Sequence, residues 1–140
     1  MRHATAVASA VAGIFCAATA LLAARTRSSV TEGRVFYGRY CAACHGLAAD
    51  GRGPVAVALR KTPSDLRRLG ERYGMPLPRA RIARFVDGRE TVDAHGPREM
   101  PVWGERFGSL EPEGSERTSI DRRIDAIIVY LGTIQVGPAP

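Results

Sequence analysis

Cys41-Ala42-Ala43-Cys44-His45 is the stretch of this 140-residue chain whose residue types and spacing dictate a specific chemistry. Two thiols three apart lie on one helical turn, where they can form thioether bonds to the two vinyl groups of a haem. The next residue, a histidine, can then turn its imidazole to the iron, and C-x-x-C-H is the attachment pattern of a c-type haem. Cys41 and Cys44 are thus candidate tethers and His45 a candidate axial ligand. Other chemistries fit the same residues less well. Tetrahedral zinc wants two more Cys or His ligands at similar short spacing, but there is no second C-x-x-C and the third cysteine, Cys16, sits in an apolar leader. A thioredoxin-like pair needs a βαβ setting and no histidine, and no strand-rich region is present. A structural disulfide between Cys41 and Cys44 stays open in an oxidising compartment.

A second axial ligand has three candidates. Met100 is the best of them, in His95-Gly-Pro-Arg-Glu-Met100-Pro-Val-Trp103-Gly, which also carries the chain's one tryptophan. A thioether next to a proline is stiffly placed, and thioether with imidazole is a haem ligation that raises the reduction potential. Met75-Pro76 repeats the dipeptide, and His95 would give a bis-His iron. An ordinary core role for Met100 is the bland alternative.

Length and composition set the frame for these residues. One domain and a leader are accommodated, without room for a second core. The net charge of +6 comes almost entirely from arginine, Lys61 being the one lysine. The arginines are scattered over the whole length with no basic block or aromatic platform, which argues against nucleic acid. An Arg-rich surface that steers an acidic redox partner is the better use of that charge. Residues 1–24 read as a targeting segment: Met1 to His3 are basic, and Ala4 to Ala24 carry no charge. Small residues near Ala24 suit a secretory cleavage site, and the run is also just long enough to span a bilayer, which takes about 20 residues. Cleaved signal and retained membrane anchor both stay open.

The elements that must position the candidate site read as helices. Thr31 is a candidate cap for a helix through about Cys44. Gly33 and Gly38 within it each cost roughly 1 kcal/mol against Ala, so they imply either close approach by another helix or fraying. After His45, the Gly51-x-Gly53-Pro54 loop is turn-rich and could supply a carbonyl to the imidazole Nδ1–H, an arrangement that fixes a ligand histidine and raises its basicity. Ser64 is a candidate cap for the turn or helix over 65–70. Pro78 to Val86 reads as a helix burying Ile82, Phe85 and Val86, ended by Asp87-Gly88. Ile120, Ile124, Ile127, Ile128 and Leu131 recur at helical spacing and form the strongest amphipathic pattern in the chain. Its expected receiver is the small-residue face at Gly33. Residues 137–140 are a tail, and 87–99 have no role legible in the sequence.

Together these residues resemble class I cytochrome c from about Thr31 to Ile134. The resemblance is carried by Gly33 and Tyr37 before the haem box, the box with Gly46, the Gly51-x-Gly53-Pro54 loop, Met100-Pro101-x-Trp103-Gly104, and the terminal Tyr130-Leu131. It implies an all-α fold over residues 28–136, short helices wrapped around one covalently bound haem c, with the N- and C-terminal helices crossing near Gly33 and Tyr130. It also implies cofactor-binding residues Cys41, Cys44, His45 and Met100, with the iron held by His45 and Met100. Assembly outside the cytoplasmic membrane, in the periplasm, is part of the same implication. Export would leave Arg25 and Arg27 on the outer side, against the positive-inside bias of a retained anchor. The expected function is single-electron transfer between redox protein partners. A haem subunit of a larger dehydrogenase or oxidase is the first alternative, and a haem enzyme or ligand sensor with a labile sixth position the second.

Overall fold

The fold was obtained as a computed structural model, which describes residues 19–20, 23–27, 29–88, 100–109 and 117–137. Every regular element among the described residues is helical, so the all-α expectation holds at that level. Helix α1 covers residues 29–40, and α2 is the single turn Ala42–His45. Two 3₁₀ turns follow, Ala56–Ala58 and Leu66–Arg68. Then come α3 (Leu69–Tyr73), α4 (Arg79–Asp87), α5 (Trp103–Ser109) and α6 (Arg117–Thr133). Among the described residues no helix is long and apolar enough to cross a membrane. Residues 1–18, which hold most of the leader including Cys16, lie outside them, as do 89–99.

The periodic residues of α6 build the core. Ile124, Ile127 and Ile128 are each 2 % exposed, and Ile120 and Leu131 are buried beside them. Burying one such side chain stabilises the fold by about 1.5–3 kcal/mol, so this one face supplies much of the apolar gain. Phe107 of α5, Ile82 and Val86 of α4, Leu69 of α3 and Tyr37 of α1 join the cluster, with Ala42, Ala49 and Leu77. Phe85, expected in the buried face of α4, is only half-buried and packs its ring on Tyr73 at 6.0 Å. Gly88 ends α4 in the left-handed region (φ 90°), the usual place for a glycine cap.

Helix α1 begins earlier and ends sooner than the sequence suggests. Thr31 is an interior residue: its hydroxyl donates to the Arg27 carbonyl at 3.1 Å, a bond to the preceding turn. The helix stops at Tyr40, and Cys41 is a turn residue leading into α2. The two internal glycines have different fates. A Cβ on Gly33 would fall on the Ala126 carbonyl and lie 2.9 Å from Tyr130 Cβ, whereas Gly38 has nothing within 4 Å. The crossing of α1 and α6 is therefore at Gly33, with the Tyr37 and Tyr130 rings 5.4 Å apart one turn on.

Gly33→Leu tests this crossing. Leu is nearly 1 kcal/mol better than Gly in a helix, but overpacking costs about 1–3 kcal/mol, and here the obstacle is backbone. The variant is expected to be net destabilised by about 2 kcal/mol in a denaturant melt. Gly38→Leu should equal or exceed the parent, and a Gly33→Leu chain as stable as the parent would remove the crossing.

Candidate functional site

The C-x-x-C-H turn is held by its own backbone and by the loop behind it. Cys41 N–H donates to the Tyr37 carbonyl and His45 N–H to the Cys41 carbonyl, both at 2.9 Å, so α2 continues from α1 through one irregular residue. A helix end leaves carbonyls without partners, and α2, being one turn long, leaves all of its own. The chain that follows answers each of them. Gly46 N–H reaches the Ala42 carbonyl, Val55 that of Ala43, Gly53 that of Cys44, and Gly51 that of His45, at 2.9–3.0 Å. Gly53 has to be glycine for this return, because a Cβ there would sit 2.6 Å from the Cys44 carbonyl carbon. From below, the buried Tyr37 hydroxyl donates to the Gly46 carbonyl at 2.6 Å.

The Gly51-x-Gly53-Pro54 loop thus offers N–H groups to α2 and not a carbonyl to the imidazole, which corrects the sequence expectation. The partner of His45 Nδ1 is the Ser64 carbonyl, 3.0 Å away and nineteen residues on. A carbonyl only accepts, so Nδ1 carries the proton, and in the neutral ring Nε2 keeps its lone pair. Burial lowers the His45 pKa from its ordinary value, against the smaller opposing effect of the Ser64 bond, so the ring is neutral near pH 7. A neutral imidazole with Nδ1–H fixed on a carbonyl is the form in which histidine ligates a metal through Nε2. Ser64 is also not the cap expected of it. Asp65 is, its carboxylate accepting from Arg67 N–H at 3.0 Å.

Cys41 and Cys44 are both free thiols, half-buried on the same turn as His45. Burial, reinforced by Cys44, pushes the Cys41 thiol up to about 12. A redox-active C-x-x-C pair works through a lowered pKa and an available thiolate, and Cys41 is shifted the other way. Burial, with Cys41 close by, also raises the Tyr37 phenol well above its usual value. Among the described residues no group of three His, Cys, Asp or Glu side chains is placed to hold a metal ion, as a bare tetrahedral ion would require.

The remaining candidates lie apart. Met100 precedes α5 and is 38 % exposed. Its segment is tied to the thiol turn through aromatic rings: Trp103 lies 5.6 Å and Phe107 5.1 Å from the ring of Tyr40, the residue before Cys41. Met75, the rival, is 60 % exposed and folds back on α3, since a Cβ on Gly70 would meet its sulfur at 2.9 Å. His95 lies outside the described residues. Sequence reasoning missed Ser64 as the imidazole partner and Tyr37 as the anchor of Gly46. It also missed Asp87, a carboxylate only 4 % exposed that fills the space a Cβ on Gly104 would occupy.

No protein-family model, curated protein or solved structure matches this chain. The site is therefore read from its own donors. Two free thiols and a ring nitrogen with an available lone pair on one turn suit a group that is tethered twice and ligated once. That is the demand of a covalently bound haem, and a bare metal ion would not need the thiols in this order.

Proposed function

We propose that the chain is a monohaem c-type cytochrome of the class I kind, carrying single electrons between redox proteins outside the cytoplasmic membrane. The observation that carries this reading is the His45 imidazole held at Nδ1 by the Ser64 carbonyl on the turn that presents two free thiols. In this reading Cys41 and Cys44 would tether one haem c, and His45 Nε2 and the Met100 thioether would hold its iron. The bound haem iron would supply the chemistry, alternating between Fe(II) and Fe(III) as it accepts and releases one electron.

The protein's part is to hold that centre still. Ser64 fixes the ring plane of His45 and, through the Nδ1–H bond, raises its donor strength. The four loop N–H groups on α2 prevent the turn from relaxing when the charge at its end changes. The aromatic contacts of Tyr40 with Trp103 and Phe107 link the tether to the Met100 segment, so both sides of the centre rest on one packed cluster. With His45 and Met100 both holding the iron, no position would remain for a substrate, and outer-sphere electron exchange is the chemistry such a group would supply. The basic leader and apolar run at 1–24 support export, and the net charge of +6 supports an acidic partner.

The test is a spectroscopic redox titration of the purified chain under carbon monoxide. A reversible one-electron transition with no carbon monoxide adduct of the reduced form is the expected result. Ready adduct formation by the unmodified protein would overturn the carrier reading in favour of an enzyme or sensor.

A further inference from the structure

The Ser64 carbonyl that holds His45 belongs to a loop, and a loop carbonyl is only as well placed as the chain on either side of it. On its far side the chain is gripped by the residues that follow α6. The Gln135 amide nitrogen donates to the Leu66 carbonyl at 2.9 Å and to the Leu131 carbonyl at 2.8 Å. Its amide oxygen accepts from Gly70 N–H at 2.8 Å. The next residue adds a fourth bond, Val136 N–H to the Arg67 carbonyl at 3.0 Å. Residues 66–70 are thus fastened to the C-terminal helix at three backbone positions by two consecutive residues, sixty-five or more positions away in sequence.

The same short segment is fastened on the haem-box side. Leu66 N–H donates to the Ala49 carbonyl at 2.8 Å, so both polar backbone groups of Leu66 are engaged, one with the α2 loop and one with Gln135. Asp65 closes the turn onto Arg67 through its backbone N–H and its guanidinium. Only Asp65 stands between this pinned residue and Ser64, and the residue before Ser64 is Pro63, whose φ is fixed by its ring.

We propose that Gln135 is a positioning residue for the His45 imidazole, setting the Ser64 carbonyl through its bonds to Leu66 and Gly70. The inference rests on the haem reading for its effect on potential but not for its effect on the ring. The chain of contacts runs from the C-terminus of α6 to the ligand histidine, so a change at the end of the protein reaches the site without touching it. Loss of the Gln135 bonds frees Leu66 and Ser64 to move. The Nδ1–H bond then weakens, the imidazole becomes a poorer donor, and the ferric state loses part of its preference.

Gln135→Leu tests this, with Ile127→Val as a control that weakens the core packing of α6 and leaves the Gln135 bonds in place. In Gln135→Leu, solvent exchange of the His45 ring N–H, followed by nitrogen-15 NMR, is expected to rise at least tenfold and the midpoint potential to move upward. Ile127→Val is expected to lower the melting temperature with neither change. Equal stability losses with unchanged ring exchange and potential in both variants would overturn the proposal, leaving Gln135 a structural residue only. Should Gln135→Leu fail to accumulate, Val136→Pro removes the N–H to Arg67 and restricts the backbone of Gln135 before it, and the same shifts at smaller amplitude are expected, their absence counting against the proposal. If the purified parent carries no haem, the carrier reading fails by itself. Ring N–H exchange then still decides the role of Gln135, since slow exchange in the parent and release in the variant support it and equal rates overturn it.

Discussion

Denaturing electrophoresis of a Cys41→Ala, Cys44→Ala double variant is expected to show no haem staining at the position where the unmodified chain stains. Covalent attachment survives denaturation and ligation through His45 does not, so the stain reads the two thioethers alone. The replaced thiols are half-buried, and as packing changes they should cost about 1 kcal/mol each. The expected fall in stability is far larger, because a group bound only by the native state adds its binding free energy to the fold and the double variant forfeits it. Either single variant retains one tether and should stain more weakly. A stain of full strength in the double variant would sink the haem assignment, and with it the reading of His45 and Met100 as ligands.

How much of this was legible beforehand depends on whether the signal was periodic, local or distant. The α6 face was fully legible, since five apolar residues at helical spacing can be buried only together, and all five are. The crossing at Gly33 was half-legible. An interior helix glycine costs stability, so two of them ask for a reason. Only Gly33 has one, in the carbonyl of Ala126, and no local pattern separates it from the open Gly38. The boundaries of α1 were misread because Thr31 suits a cap equally well on sequence grounds. A threonine can also bond back to the preceding turn from inside a helix, and here it does.

Within the candidate site, the same division applies. Cys41, Cys44 and His45 are adjacent in sequence, so their meeting on one turn follows from helix geometry. The partner of His45 does not follow, because nothing about Ser64 marks its carbonyl as the one that reaches Nδ1. The Gly-Pro loop suits an acceptor for the imidazole only by being nearer in sequence. Its glycines answer a different demand, the unpartnered carbonyls of a one-turn helix. Gln135 was illegible for the same reason: its three bonds fall on backbone groups, and backbone groups leave no trace in sequence. Asp87 reads as a helix-ending polar residue, and only the packed structure shows it buried against Gly104.

Met100→Ala is expected to convert a closed centre into an open one. The thioether is a soft, neutral ligand that favours Fe(II), so its loss should lower the potential. A hundredfold loss of that preference corresponds to about 120 mV for a one-electron couple. The variant should lose the weak far-red charge-transfer band of thioether-ligated ferric haem and gain carbon monoxide binding in the reduced state. Met100→His should remain six-coordinate at a still lower potential and bind no carbon monoxide. Trp103 and Phe107 hold the segment to Tyr40 without this side chain. The ligand effect and a stability effect are therefore separable, and a melt close to that of the parent is expected alongside the spectral change. Met75→Ala supplies the contrast. Its sulfur lies against Gly70, so truncation should cost about 1 kcal/mol or less and leave the far-red band in place, as should His95→Ala. Were Met75→Ala or His95→Ala to erase the band while Met100→Ala preserved it, the distal ligand would move to that residue and the electron-carrier function would stand.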